Sequence, residues 1–262
     1  MKKQFQKLNK ILSDNKSGSA EILLKLKKHI LKNLNDEKYL KLTIAEAENH
    51  LQHFASVKNF LKELKSELKK SDLTQLKLFL EYSILAQTKE IELLFERNKK
   101  YLMKFKVLTT LSYSKTLLEL LKLWYKENPA LKIFILESRP MLEGRIFAKE
   151  LIKIGFHCHL VVDATMNFAV QNSDAVVIGA DQILKNGNVV NKVGSFPLAL
   201  CAKENKKPFI VIATKNKFMN SIRFTDSKKP DNEVWNYKHT KLQITNFYFE
   251  EIPANYISKI IF

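Results

Sequence analysis

Glycine and proline are distributed very unevenly along the 262 residues of the chain. All six prolines follow residue 128, five of the six glycines lie at residues 144–194, and the first 128 residues hold only Gly18. Because both residue types oppose helix interiors and mark turns, their absence predicts long uninterrupted helices. Apolar residues recur there at helical spacing, as at Ile22, Leu23, Leu26, Ile30 and Leu34. We therefore expect a helical bundle over residues 1–104.

Short β-rich runs alternate with helical patterns after residue 104. The runs cover residues 106–111, 133–137, 158–162, 175–180 and 209–213. Several are apolar on both faces, as buried parallel strands are. The alternation predicts an α + α/β chain whose second part, residues 105–262, is a Rossmann-like, mostly parallel, doubly wound sheet. A tight hairpin with an Asn–Gly turn is expected at 186–192, and a late strand at 257–261.

The composition limits the class of protein. Apolar residues make up 45% and charged residues 27%, which predicts a folded core rather than disorder. Two cysteines, Cys158 and Cys201, exclude a disulfide scaffold and a four-cysteine zinc site. No apolar run reaches the roughly 18–20 residues that span a bilayer, and Lys and Gln interrupt the first residues too often for a signal peptide. A soluble cytoplasmic protein with no membrane association is expected.

The chain is strongly basic, with 44 Lys and Arg against 27 Asp and Glu and a net charge of +17. The excess is spread over both halves, and only four of the basic residues are arginines. A surface that reads nucleic-acid bases would carry more arginine. A lysine-rich solvated surface is therefore the favoured interpretation, with nucleic-acid binding weak or absent. A basic RNA-associated structural protein stays as an alternative.

Polar side chains follow each predicted strand. They are Thr110, Ser112 and Ser114 after the first, Ser138 and Arg139 after the second, Asp163 after the third, Asp181 after the fourth, and Thr214 and Lys215 after the fifth. Ligands of open α/β sheets bind outside the carboxyl ends of the strands. Hydroxyls, helix N-termini and arginine suit phosphate oxygens, and carboxylates suit sugar hydroxyls or proton transfer. The pattern predicts a site for a phosphorylated small molecule.

Common nucleotide and hydrolase motifs are missing from the sequence. It contains no GxGxxG, no GxxxxGK[ST] and no GxSxG, so dinucleotide, P-loop and serine-hydrolase functions have no support. His157 and His159 alternate in a strand pattern, but no carboxylate cluster stands near them, and solvent-side histidines are favoured over a metal pair. We expect neither a metal nor a cofactor.

Two blocks of the sequence resemble a known family. They are ESRPMLEGR at 137–145 and GADQILKNGNVVNKVG at 179–194. Both resemble the translation initiation factor 2B superfamily, which includes the alpha, beta and delta regulatory subunits and the isomerases of methylthioribose 1-phosphate and ribose 1,5-bisphosphate. The resemblance covers residues 106–262, and the tail NFYFEEIPANYISKIIF agrees with it. Residues 13–23 are similar to a helix start of the family, although an ordinary N-cap is the preferred interpretation.

One departure from the family pattern bears on activity. The resemblance implies that the isomerases use a cysteine after the first strand, in a Thr-His-Cys context, together with the aspartate of the GAD block. This chain keeps the aspartate as Asp181 but has Leu111 and Ser112 at the His and Cys positions. A thiol ionises near pH 8.5, whereas a serine hydroxyl needs an adjacent base. The stretch 110–115 instead resembles the regulatory subunits, so the chain is expected to bind a ligand without turning it over.

Six residues form the predicted ligand site, and five of them have a structural alternative. They are Ser112, Ser114, Arg139, Asp181, Asn191 and Lys192. The alternatives are helix capping for the two serines, a salt bridge to Glu137 or Glu143 for Arg139, a turn for Asp181, and a solvated position for Lys192. Asp181 and Ser112 would be the catalytic residues if the protein is an isomerase.

The sequence therefore predicts a regulatory or scaffold protein similar to an initiation factor 2B alpha subunit. It would bind a sugar phosphate or a nucleoside monophosphate. The resemblance implies a homodimer formed through the α/β part, or a higher oligomer, with a translation factor as a further partner. A sugar-phosphate aldose–ketose isomerase is the first alternative.

Overall fold

The computed structural model of the chain describes residues 2–14 and 17–262. Its first part is helical, as expected. The helices are α1 (Lys2–Leu12), α2 (Ser19–Lys32), α3 (Glu37–His50), α4 (Ala55–Glu67) and α5 (Leu73–Leu102). Side chains fix two of the starts, because Asp36 accepts the N–H of Tyr39 before α3 and Asp72 forms a capping box with Gln75 before α5.

Strands and helices alternate after α5. The strands are β1 (Val107–Leu111), β2 (Lys132–Leu136), β3 (His157–Val161), β4 (Ala175–Gly179), β5 (Gln182–Ile183), β6 (Val189–Lys192), β7 (Phe209–Ile212), β8 (Phe249–Ile252) and β9 (Lys259–Ile261). The helices are α6 (Lys115–Glu127), α7 (Glu143–Ile154), α8 (Met166–Gln171) and α9 (Ser195–Glu204). The short elements α8 and β8 lie outside the predicted pattern.

The main sheet has six strands in the order β3-β2-β1-β4-β7-β9, and every neighbouring pair is parallel. Helices cover both faces, and β4 and β7 are buried along their whole length. This confirms the predicted doubly wound sheet. The late strand is confirmed as β9. The expected hairpin is present as β5 and β6, with Gly187 in the turn at φ +85°, but its first strand lies before the predicted range 186–192.

A second sheet joins the helical part to the α/β part. Strands β5, β6 and β8 form it, and all are antiparallel. Val190 and Phe249 of this sheet belong to the same apolar core as Leu26 and Leu61 of the helices. Because one core crosses the boundary, the division into domains 1–104 and 105–262 stays a prediction.

The described part of the chain, residues 2–14 and 17–262, contains no helix with the length and hydropathy needed to cross a membrane.

Candidate functional site

The order of the strands creates a crevice between β1 and β4. From β1 the chain adds β2 and β3 on one side, and it then crosses to add β4, β7 and β9 on the other. Ligands of open α/β sheets bind at such a switch point, outside the carboxyl ends of the strands. A cavity of about 20 Å³ lies there. It is lined by residues 18–20, 111–116, 179–181, 191–192 and Lys217.

Three buried polar side chains form a hydrogen-bonded chain at the centre of this cavity. Lys217 Nζ donates to Ser19 Oγ, and Ser19 Oγ donates to Asp181 Oδ1 over 2.5 Å. Lys217 and Ser19 are each 2% exposed and Asp181 is 7% exposed. Burial lowers the pKa of Lys217, while the nearby charge of Asp181 opposes that shift. The arrangement pairs a cation and a carboxylate through one hydroxyl in a low-dielectric setting.

Two helices begin at the cavity wall. Helix α2 begins at Ser19, and helix α6 begins at Lys115 after Ser114, whose Oγ accepts the N–H of Leu117 over 3.2 Å. Helix N-termini carry unpaired N–H groups and a partial positive charge. Two of them beside a buried lysine therefore make the cavity suited to an anion such as a phosphate.

Two glycines allow the cavity walls to approach each other. A Cβ at Gly18 would lie 2.9 Å from the carbonyl oxygen of Tyr113, which is closer than Cβ atoms are found. A Cβ at Gly179 would overlap Ser114 Oγ. The first glycine brings α2 against the loop after β1, and the second brings the end of β4 against the start of α6.

Ser112 lies in the cavity wall with a constrained backbone. Its φ is +59°, and that of Ser138 is +64°. This left-handed conformation costs about 1–2 kcal/mol for a residue with a side chain. The N–H of Ser112 donates to Ser138 Oγ over 2.7 Å, and the N–H of Ser138 donates to Asp163 Oδ1 over 2.8 Å. These hydrogen bonds fix the loop after β1 to the loop after β2, and the loop after β2 to Asp163.

Asn191 and Lys192 reach the cavity from β6. Asn191 Nδ2 donates to Ser195 Oγ over 2.9 Å. Lys192 Nζ lies 2.8 Å from Glu143 Oε1, and its side chain is 12% exposed. The ammonium also lies 4.9 Å from the centre of the Phe249 ring. The alternative of a solvated Lys192 is therefore wrong, because a carboxylate and an aromatic ring enclose the charge.

Arg139 is placed outside the cavity. Its side chain is exposed, and Nη2 donates to the carbonyl oxygen of Val234 over 2.8 Å. The two predicted salt-bridge partners are engaged elsewhere, since Glu137 pairs with Arg145 and Glu143 with Lys192. Neither predicted salt bridge forms, and a phosphate contact would require Arg139 to leave Val234.

Two residues at the centre of the site were not predicted from the sequence. An ordinary N-cap is expected within residues 13–23, but the N-cap of α2 is Gly18, which makes no side-chain cap, and Ser19 faces Asp181. Two residues of that segment, Asn15 and Lys16, lie outside the described residues. Lys217 follows the fifth predicted strand by only four residues, but nothing in its spacing distinguishes it from the other lysines.

None of the described histidines and cysteines lines the cavity. Burial and the charges of Lys229 and Lys192 lower the pKa of His53 to about 4, against the opposing charge of Asp181. Burial raises the pKa of the Cys158 thiol to about 11. The cavity wall contains neither Cys158 nor Cys201. Across residues 2–14 and 17–262, no three His, Cys, Asp or Glu side chains gather as a metal site would require.

Comparison with known proteins places the chain beside both enzymes and translation factors. It is 33% identical over 154 residues to a ribose 1,5-bisphosphate isomerase of Methanocaldococcus jannaschii, an alignment that covers 56% of this chain and 50% of the relative. It is 32% identical over 155 residues to a putative translation initiation factor eIF-2B subunit 2-like protein of Pyrococcus horikoshii, covering 59% of this chain and 55% of the relative. The chain thus spans about half the length of the curated relatives it matches.

Solved structures support the fold. The crystal structure of 5-methylthioribose 1-phosphate isomerase from Pyrococcus horikoshii superposes with a TM-score of 0.81 at 18% identity, over 98% of this chain and 82% of that one. A profile of the Initiation factor 2 subunit family matches residues 3–262. The match extends over the helical part as well as the sheet, and the chain therefore belongs to the Initiation factor 2 subunit family.

Proposed function

We propose that the protein binds a sugar phosphate or a nucleoside monophosphate at the switch-point cavity, without converting it, and acts as a regulatory or scaffold subunit. One observation carries the proposal. The cavity keeps the features that suit a phosphate, two helix N-termini and the buried Lys217, but Ser112 stands where the family resemblance puts the cysteine of the isomerases.

The chemistry of the lining assigns a part to each end of such a ligand. The phosphate would bind to the N-termini of α2 and α6 and to the ammonium of Lys217. The carboxylate of Asp181 and the amide of Asn191 would accept hydrogen bonds from sugar hydroxyls, because both groups are acceptors and both lie at the cavity.

Ligand entry would require a local movement. A cavity of about 20 Å³ holds about one water molecule, far less than a pentose phosphate. The first turn of α2 closes the cavity through the bond from Ser19 to Asp181. We propose that the ligand displaces Ser19 and replaces its hydrogen bonds to Asp181 and Lys217.

An aldose–ketose isomerase is the second candidate. Asp181 is retained and buried beside Lys217, so a group that exchanges protons with a sugar is present. A relative named ribose 1,5-bisphosphate isomerase is 33% identical over the matched residues. Under this alternative Ser112 would replace the cysteine, and its hydroxyl would depend on a neighbouring base.

Phosphorus-31 NMR of ribose 1,5-bisphosphate with the purified protein tests both candidates. Broadening of the substrate signals without a new signal is expected. A ketose bisphosphate signal that Ser112→Ala removes would replace the proposal with the isomerase. Asp181→Asn should abolish the broadening, whereas Asp231→Asn, an exposed aspartate far along the chain, should leave it unchanged. An unchanged spectrum with ribose 1,5-bisphosphate and with AMP and GMP would contradict the proposed ligand class.

We further propose that the α/β part forms a homodimer. Trp235 and Tyr237 are 58% and 46% exposed and stack on each other with ring centres 4.7 Å apart. Exposed aromatic side chains of this kind mark protein interfaces. Sedimentation velocity should give a dimer, and Trp235→Ser with Tyr237→Ser should give a monomer. A translation factor as a further partner rests on the family alone.

A further inference from the structure

A groove runs along the helical bundle, apart from the switch-point cavity. Its volume is about 980 Å³. Helix α4 forms one wall, helix α5 the other, and residues 215–216 close one end. The α5 lining extends from Phe79 to Arg97, and 18 residues of helix correspond to about 27 Å. The α5 wall is therefore long enough for about five turns of a second helix, and the α4 wall, residues 59–66, for about two.

The groove carries an excess of positive charge. Five cations line it, Lys27, Lys62, Lys89, Arg97 and Lys215, against two carboxylates, Glu63 and Glu90. Lys62, Lys89, Arg97 and Lys215 are exposed, and none of them pairs with a carboxylate anywhere in residues 2–14 and 17–262. Four unpaired cations along one groove favour an acidic occupant.

The same groove exposes apolar side chains. Tyr82 and Leu93 of α5 line it and are 72% and 47% exposed. Leu78 and Leu85 lie outside the groove lining but beside Tyr82 at helical spacing, and they are also largely exposed. Contiguous apolar exposure with a charged rim is typical of a protein-binding surface. Apolar side chains along a concave surface suit the apolar face of a helix, whereas a membrane surface is flat.

Polar groups in the floor are incompletely paired. Gln87 Oε1 is buried without a hydrogen-bond donor in the described residues. Lys27 is 6% exposed, and Nζ donates to the carbonyl oxygen of Ser83 over 2.8 Å. An ammonium has three donors. The buried lining of the groove therefore has a hydrogen-bond acceptor, Gln87 Oε1, and a cation, Lys27, that polar side chains of a bound partner could contact.

We propose that the groove between α4 and α5 binds an acidic amphipathic helix of a partner protein. The apolar face of that helix covers Tyr82 and Leu93, and its carboxylates pair with Lys62, Lys89, Arg97 and Lys215. The proposal is independent of any ligand in the switch-point cavity, because different residues carry it.

A synthetic peptide tests the proposal. The probe is a fluorescein-labelled peptide of about 20 residues, which matches the α5 wall, with Leu at i, i+3, i+4 and i+7 and Glu and Ala elsewhere. Fluorescence anisotropy with the full chain should show saturable binding that weakens as salt is raised. A peptide of the same composition with scrambled Leu positions, and one with Lys in place of Glu, should not bind.

Charge reversal on the protein gives the matched comparison. Lys62→Glu with Lys89→Glu should weaken binding by about tenfold, which corresponds to about 1.4 kcal/mol. Lys132→Glu with Lys149→Glu changes the net charge equally at exposed positions of the α/β part and should leave the affinity within about twofold. Circular dichroism of each variant checks that the fold is kept.

Several results would overturn the proposal. These are equal binding of the scrambled peptide, equal weakening by the control pair, and no saturable binding up to about 200 µM peptide. Binding of phosphatidylserine vesicles in place of the peptide would assign the groove to a membrane surface. Self-association that Tyr82→Asp abolishes would assign it to a second copy of the chain.

Discussion

Replacing Asp181 by Asn removes the charge opposite Lys217 and keeps an oxygen that accepts from Ser19. Lys217 is 2% exposed, and Asp181 is the carboxylate whose charge raises its pKa. Leaving one member of a buried ion pair without its partner costs about 3–5 kcal/mol, and the Ser19 hydroxyl between the two charges places Asp181 and Lys217 at the lower end of that range. Because Lys217 escapes part of that cost by losing its proton, and Ser19 stays bonded to it, we expect a loss of about 3 kcal/mol in the free energy of unfolding at neutral pH.

The loss should depend on pH in a defined direction. Burial lowers the pKa of Lys217 below its usual value of 10.5, and without Asp181 the pKa falls further. Between the folded and unfolded pKa values the unfolded chain binds the extra proton, so stability rises with pH. The deficit of Asp181→Asn relative to the unsubstituted protein should therefore shrink as pH is raised toward 10.5.

Urea denaturation followed by circular dichroism measures these values. The set comprises the unsubstituted protein, Asp181→Asn, Lys217→Met and the double variant. The double variant should lose less free energy of unfolding than the two single variants together. The difference, which is the coupling energy of the pair, should be about 2 kcal/mol. A loss below about 1 kcal/mol for Asp181→Asn, or a coupling near zero, would refute the assignment of a buried pair.

Three further substitutions have defined outcomes. Gly179→Ala should lower the free energy of unfolding by about 2 kcal/mol in urea titrations, because the new Cβ overlaps Ser114. Asn59→Ala should speed amide hydrogen exchange at residues 215–218, because Asn59 Nδ2 donates to the carbonyls of Asn216 and Phe218 over 2.9 and 3.0 Å. The pKa of His53 is about 4 in the folded protein and 6.5 in the unfolded chain, so the free energy of unfolding falls as pH drops from 6.5 to 4. His53→Asn should abolish this loss, which amounts to about 3 kcal/mol.

Each of these three has a result that contradicts it. A Gly179→Ala variant as stable as the unsubstituted protein would show that β4 and α6 separate freely. Gly155→Ala is the reference, because a side chain there is strained by the φ of +117° and overlaps Tyr125, outside the cavity lining. Unchanged exchange at 215–218 in Asn59→Ala would mean that α4 does not hold that turn. If the free energy of unfolding of His53→Asn fell with pH as steeply as that of the unsubstituted protein, another group would be responsible for the loss between pH 6.5 and 4.

Local sequence patterns were sufficient for the architecture. The scarcity of Gly and Pro before residue 128 predicted helices, and α1 to α5 are found there. Apolar runs such as 175–180 and 209–213 predicted buried parallel strands, and β4 and β7 are buried along their length. These patterns work because helix and strand formation depend on neighbours in sequence. The short α8 and β8 carry too few residues for a pattern.

The candidate site was predictable only in part. Ser112, Ser114, Asp181, Asn191 and Lys192 all line the cavity, because strand ends and a hairpin place them at one edge of the sheet. Arg139 follows a strand end in the same way, but its side chain turns toward Val234. The direction of a long exposed side chain depends on which hydrogen-bond acceptors lie nearby. The position of Arg139 after a strand does not show which acceptors these are.

The sequence by itself determined most of the helices and strands, although not α8 and β8, and it identified the family. Tertiary structure decided what faces Asp181. Ser19 and Lys217 are 162 and 36 residues away along the chain, and only the packing of α2 and of the turn after β7 against the switch point brings them together. Burial then gives these groups their properties, since a lysine that is ordinary in solution has a lowered pKa and a required partner once water is excluded.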